Sequence, residues 1–304
     1  MFIRFGRPVL AAATLLAATF AHAQVSVQER LAADQPPVVV AHRSAVLGGF
    51  PENSLAWIQY AVDLGIDAVH INPQLTRDDQ YVLMHDSTLN RTTDVEHVFA
   101  EGPPSGPTRE QRGGKDYVRD YTLEEIRQLT LVNGKDEGTH RVPTLEEALD
   151  LIDGDLLVLL GLKSYEIESL AATIGGHDTA NLLLFELYFP GTDQSKLRDA
   201  TAATGIAAAV VLFRSRDYLT DLDSVVDQIG PALVMISANS ARLTPEFISR
   251  MTDLDLRLMI SGWNGPEDNK LVNETDPAPW KAMLDQGFSA STDQPELMLE
   301  LLRR

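Results

Sequence analysis

Cysteine is absent from the 304-residue chain. That excludes disulfides, a thiol nucleophile, Cys-ligated zinc, iron–sulfur clusters and a lipid-modified N-terminal cysteine, and any metal would need oxygen or imidazole ligands. Basic residues are scarce too: 25 Lys and Arg stand against 44 Asp and Glu, a formal net charge of −19. Such an excess argues against nucleic acid and anionic membrane surfaces as partners, because polyanions repel one another. A small anionic ligand remains open, since one cleft holding a few Arg and Lys side chains can be positive on a negative globule. Apolar runs of membrane-spanning length are missing, so no stable membrane insertion is expected. No G-x-G-x-x-G follows the first apolar run, which removes the main signal for a dinucleotide-binding open sheet.

The N-terminus stands apart. Arg4 and Arg7 precede an apolar stretch over residues 8 to 20, and Ala21-His22-Ala23 follows as an A-x-A cleavage site. This is the pattern of a secretory signal peptide, and the stretch is shorter than the ~20 residues of a transmembrane helix. The chain therefore divides into a signal peptide, residues 1 to 23, and one domain, residues 24 to 304, exported and most simply periplasmic.

What is present is a recurrent pattern, on a chain whose 44% apolar content suffices for one large core. Short apolar runs occur at residues 38 to 42, 67 to 72, 156 to 163, 181 to 187, 208 to 213, 232 to 237, 256 to 261 and 288 to 292. Segments with helical spacing lie between them, such as Leu55, Ile58, Ala61, Val62 and Leu64. Thr122 with Glu125, and Thr144 with Glu147, each offer a capping box at a helix start. Strands apolar on both faces that alternate with helices describe a parallel sheet covered by helices, and eight units fit a (β/α)8 TIM barrel. Residues 73 to 86 depart from this rhythm: a turn at residues 77 to 80 predicts a β-hairpin excursion. Residues 95 to 120, rich in Gly and Pro, predict a small loop insertion over one end of the barrel.

In such a barrel the polar residues at the C-terminal strand ends face the working end. That filter leaves His42 and Arg43, His70 and Asn72, His85 and Asp86, Lys163 and Glu186. Two facing histidines could supply a general base and a general acid, and Arg43 with Lys163 could neutralise a phosphate or carboxylate. Asp86 directly follows His85, so on a strand it would face the other way and would cap or pack. His97 and His140 are read as loop residues without a role, and Trp263, which with Asn264 follows the seventh run, as a candidate pocket wall.

Several of these residues sit in segments that resemble the glycerophosphodiester phosphodiesterases: His42-Arg43, Pro51-Glu52-Asn53-Ser54, Gln74-Leu75-Thr76-Arg77-Asp78, and His85-Asp86-x-x-Leu89-x-Arg91-Thr92-Thr93. The stretch from Thr122 to Leu129, Pro143 to Glu147, the strand ending in Lys163, and Thr292-Asp293-x-Pro295 resemble the family as well, in the same order. The resemblance implies a (β/α)8 barrel that, in lipid metabolism, cleaves glycerophosphodiesters to glycerol 3-phosphate and an alcohol. It implies two histidines as acid and base, here His42 and His85. It also implies phosphate-facing groups, here Arg43 and Lys163, an orienting acid, Glu52, and a divalent cation.

The departures concern that cation. Where the family has Glu-x-Asp this chain has His70-Ile71-Asn72, and where the family has Glu two residues before the lysine this chain has Gly161. Calcium and magnesium need hard, mostly anionic oxygen ligands, which a His, an Asn and a Gly do not supply. Three readings follow. In the first, a metal-free phosphodiesterase uses His42 and His85 for proton transfer, with His70, if protonated, Lys163 and Arg43 supplying positive charge. In the second, His70, His42 or His85 and Glu186 hold a softer ion such as zinc. In the third, the barrel is inactive and binds a phosphodiester, sugar phosphate or other polar ligand. The first is preferred, because loss of function would have no reason to spare both histidines, Arg43 and Lys163.

Overall fold

The computed structural model describes residues 24–44 and 47–302; the expected signal peptide lies outside them. The eight apolar runs form parallel strands: β1 (Val39–Ala41), β2 (Ala68–Ile71), β3 (Leu157–Gly161), β4 (Leu182–Tyr188), β5 (Ala207–Leu212), β6 (Leu233–Ala238), β7 (Arg257–Ser261) and β8 (Ser289–Thr292). Each pairs with its neighbours in sequence, and β8 closes the barrel on β1 in the register Val39 to Ala290 and Ala41 to Thr292.

Both faces of these strands are buried, so the period of two shows in which core a residue joins rather than in polarity. Val40, Ala68, Leu159, Phe185, Val211 and Met259 fill the barrel interior. Their neighbours Val39, Val69, Leu160, Leu184, Val210 and Ile260 pack outward into the layer beneath the helices. The helices begin where the caps are. Ser54 Oγ accepts the Trp57 N–H at the start of the helix Leu55–Leu64, and both expected capping boxes, Thr122 with Glu125 and Thr144 with Glu147, are complete. Among the described residues no helix is long and apolar enough to cross a membrane.

The hairpin excursion pairs Pro73–Leu75 with Tyr81–Leu83, and Asp79 takes the left-handed turn conformation at φ 58°. The insertion that follows has its own small core, in which Val82, Met84, Leu89, Tyr121 and Ile126 meet. Two details differ from the sequence reading. His97 lies in a short helix, Val95–Val98, and His140 in a two-residue strand, His140–Arg141, paired with Thr130–Leu131. His140 also has a partner: its Nε2 is 2.7 Å from Asp136 Oδ2.

The insertion is tied together at Asp116, which is buried. Its carboxylate accepts from the Tyr121 hydroxyl at 2.5 Å, Arg109 Nε at 2.6 Å and Asn90 Nδ2 at 2.8 Å. Asp116→Ala strands those donors, so we expect a loss of about 3 kcal/mol, read as a lower denaturation midpoint and early proteolysis within residues 95 to 120.

Candidate active site

Inward alternation carried to the ends of the strands builds the mouth of the barrel. His42 follows β1, His70 and Asn72 belong to β2 and its end, and Gly161 and Lys163 to β3. They line one cavity of about 250 Å³ with Phe185, Leu187, Val211 and Phe213 from β4 and β5. Ser237, Ser261, Trp263 and Ser291 complete the wall from β6 to β8, and Arg43 and His85 enter from loops. The mouth therefore has three sectors: imidazoles and cations over β1 to β3, carbon over β4 and β5, hydroxyls and an indole over β6 to β8.

Each catalytic candidate is held from behind by an aspartate. His42 Nδ1 lies 2.8 Å from Asp293 Oδ1, and Ser44 Oγ donates to the same oxygen at 2.7 Å. Asp293 is fixed in turn by the buried Asp268, whose carboxylate accepts the Asp293 backbone N–H, the Thr292 hydroxyl and the Trp280 indole N–H. Trp263 stacks on the His42 ring at 4.4 Å between centroids, an interplanar angle of 13°, which confirms it as pocket wall. On the other side, His85 Nδ1 lies 2.6 Å from Asp86 Oδ1. The hairpin strand ends at Leu83, so alternation no longer applies at residues 85 and 86 and the two side chains meet. The expectation that Asp86 merely caps or packs is therefore corrected.

Arg91 joins the halves. Its Nε donates to Asp86 Oδ2 at 2.5 Å, while its other nitrogens grip Glu52 at 2.6 and 3.1 Å. Glu52 also accepts from Arg43 Nη1 at 3.2 Å, so it orients cations as the sequence suggests and does not line the cavity. Arg43 Nε is buried without a partner. Lys163 Nζ donates to His85 Nε2 and to the His85 carbonyl, each at 2.8 Å.

The protonation states follow from burial and from this crowding of cations. Burial lowers His42 below its usual value despite Asp293, and burial followed by the charge of Lys163 takes His85 down to about 4. Burial and then Arg43 bring Lys163 to about 8. Burial opposes ionisation of Asp86, but hydrogen bonds from Arg91 and His85 hold it near 2. At neutral pH, then, the imidazoles are neutral, Asp86 keeps the proton on His85 Nδ1, and His85 Nε2 is unprotonated and accepts from the Lys163 ammonium.

His70 is corrected as a source of positive charge. It lies well below its usual value, first through burial and then through the charges of His42, His85, Lys163 and Arg43. A zinc set with Glu186 is not assembled either. Strand alternation turns Glu186 away from the side of Phe185 and Leu187 to take a 2.5 Å hydrogen bond from Tyr165, and no cluster of three potential His, Asp or Glu ligands occurs among the described residues.

The three positions where the family carries carboxylates form one packed unit. Asn72 Nδ2 lies 3.1 Å from His70 Nε2, and a Cβ on Gly161 would fall 2.2 Å from His70 Nε2 and 2.3 Å from Asn72 Nδ2. The two larger side chains fill the space that a side chain at residue 161 would need. A neutral imidazole offers no oxygen, the amide a single neutral one and the glycine no side chain, so the three positions lack the anionic oxygens that a hard divalent cation needs. His70→Glu with Asn72→Asp and Gly161→Glu is expected to create a calcium site. Calcium at a hundredfold excess over Kd should then stabilise the triple variant by about 2.7 kcal/mol in thermal denaturation and leave the parent chain unmoved.

Asp293, Asp268 and Arg91 escaped the strand-end filter. Asp293 and Arg91 stand in motif segments, five residues or fewer from a pocket residue or its partner, whereas Asp268 lies in a helix and had no signal.

A phosphodiesterase of Oleispira antarctica, solved in complex with the product sn-glycerol-3-phosphate, superposes with a TM-score of 0.65 at 21% identity over 88% of this chain and 98% of its own. A glycerophosphoryl diester phosphodiesterase from Parabacteroides distasonis gives 0.64 at 23% identity over 90% of each chain. At these identities the agreement is one of fold. In sequence, a glycerophosphodiester phosphodiesterase of Caldanaerobacter subterraneus subsp. tengcongensis is 35% identical over 130 residues, which is 42% of this chain and 45% of that relative. The model of the glycerophosphoryl diester phosphodiesterase family matches residues 42–276, from the first catalytic candidate to beyond β7, and with the barrel and its two histidines in place the chain belongs to that family.

Proposed function

We propose that the barrel mouth hydrolyses a glycerophosphodiester by histidine acid–base chemistry, with Arg43 and Lys163 in place of a divalent cation. The observation that carries this reading is the arrangement of two imidazoles, each backed on Nδ1 by an aspartate, in one cavity with those two cations. The phosphodiester brings one negative charge into a site whose one lining carboxylate among the described residues, Glu186, is held by the Tyr165 hydroxyl. Its charge raises the proton affinity of both imidazoles, so one can become protonated as the substrate binds. Water attacks phosphorus while one histidine takes its proton, the bond from phosphorus to the alcohol oxygen breaks, and the other histidine protonates that oxygen. The products are a phosphomonoester and an alcohol. Arg43, held by Glu52, and Lys163, released from His85 by the incoming anion, balance charge on the phosphoryl oxygens as it accumulates. Export to the periplasm, expected from residues 1 to 23, belongs to the same reading.

Hydrolysis of glycerophosphocholine by the purified protein tests it. His42→Ala and His85→Ala should each lower kcat at least ~100-fold. Turnover that survives both substitutions contradicts the assignment, and binding without turnover points instead to an inactive ligand-binding barrel. The pH profile is a second check. His85 is a free base from about pH 4 upward and Lys163 keeps its charge up to about pH 8. The expected kcat/KM has its acid limb near 4 and declines towards high pH, because substrate binding must bring a proton to the second imidazole and because Lys163 then loses its charge, whereas an unburied imidazole would place the acid limb near its ordinary value of 6.5.

A further inference from the structure

The carbon sector of the mouth has no use in the chemistry above. It begins against the imidazoles, since the Phe185 ring meets His70 edge-on at 5.0 Å. From there it climbs the inward face of β4 to Leu187 and passes to Phe189, which stands edge-on to Phe213 of the neighbouring strand end at 5.4 Å. Phe185 to Phe189 spans about 13 Å of extended chain. The polar residue between them, Glu186, also borders the cavity, but its carboxylate is engaged by the Tyr165 hydroxyl, and Phe185 and Leu187 on either side of it carry the wall. Phe185 is buried at 6% exposure, while Leu187 and Phe189 are each 38% exposed, so the wall runs from the floor of the pocket into solvent. The other exposed large hydrophobic side chains among the described residues, Val132, Val272 and Leu297, lie singly on separate elements. A continuous carbon track leading out of an anion site is the shape of a seat for an amphiphile.

We propose that the β4–β5 side of the mouth binds a hydrocarbon chain carried by the substrate, so that the preferred ligand is a phosphate ester bearing a long alkyl or acyl group. The proposal rests on the reading of the mouth as a phosphodiester site. The phosphate meets Arg43 and Lys163, and the chain lies along Phe185, Leu187 and Phe213 towards Phe189. A small hydrophilic alcohol would leave that wall wet. A chain covers it, and the displacement of water from both surfaces supplies affinity that grows with length.

The test uses methyl, butyl, octyl and dodecyl phosphate as monomers below their micellar concentrations, titrated calorimetrically into the whole protein, with glycerophosphocholine hydrolysis measured in parallel. Affinity should rise about two- to fourfold per methylene until the chain outruns the wall. Phe189→Ser and Leu187→Ser, both at exposed positions and checked for an unchanged melting temperature, should shrink the ratio of octyl to methyl affinity several-fold. Equal affinity across the series overturns the proposal, and so does a rise that both substitutions leave untouched. Glycerophosphocholine turnover with a flat series overturns the chain seat alone. A rising series that the substitutions flatten, without turnover of any phosphodiester, supports the seat and overturns the hydrolytic reading.

Discussion

Every strand of the barrel is buried on both faces, so hydrophobicity cannot tell inside from outside, and the two-residue alternation of side chains makes that assignment instead. The same alternation sends Val40 and His42 inward on β1, Leu159, Gly161 and Lys163 on β3, and Phe185 and Leu187 on β4. It also turns Glu186 outward to Tyr165. The reactive groups are the continuation of the core pattern past the point where the core stops. A slip of one residue on β2 would exchange His70 for Ile71 and remove the contact that links β2 to Gly161 of β3.

Charge is the second constraint. A protein at −19 borders its own mouth, among the described residues, with a single carboxylate, Glu186, which is held by the Tyr165 hydroxyl. Its other acids stand one layer back: Asp293 behind His42, Asp86 behind His85, Glu52 behind Arg43. There they orient donors without neutralising the cavity. Arg91 ties Asp86 to Glu52, so the loops bearing His85 and Arg43 are held as one unit. The cost of gathering Arg43, Lys163 and three imidazoles in a buried space appears in the lowered proton affinities of His70, His85 and Lys163. An anion relieves that cost, which is a physical reason for the site to bind one.

Much of this was legible in the sequence. The strand runs and the hairpin at residues 73 to 86 followed from periodicity and turn chemistry, and both Thr-initiated helices start at their capping boxes. The pocket residues His42, His70, His85 and Lys163 followed from strand ends and from the family resemblance. The rest depended on distances that sequence does not contain. Asp293 lies 251 positions from His42 and reaches it only because β8 closes on β1. The neutrality of His70 comes from burial among other cations, and the contact of Asp86 with His85 from where the hairpin strand happens to end. The pairing of Thr130–Leu131 with His140–Arg141 is too short to leave a periodic signal.

The central claim is that Arg43 and Lys163, with His70, Asn72 and Gly161 packed where carboxylates would stand, replace the cation. The most direct measurement is the rate of glycerophosphodiester hydrolysis after exhaustive chelation, with metal content determined on the same sample, and again after calcium, magnesium or zinc is added back. The expected result is an unchanged rate in metal-free protein and no gain on re-addition. Activity that disappears with the chelator and returns with a divalent cation would contradict it.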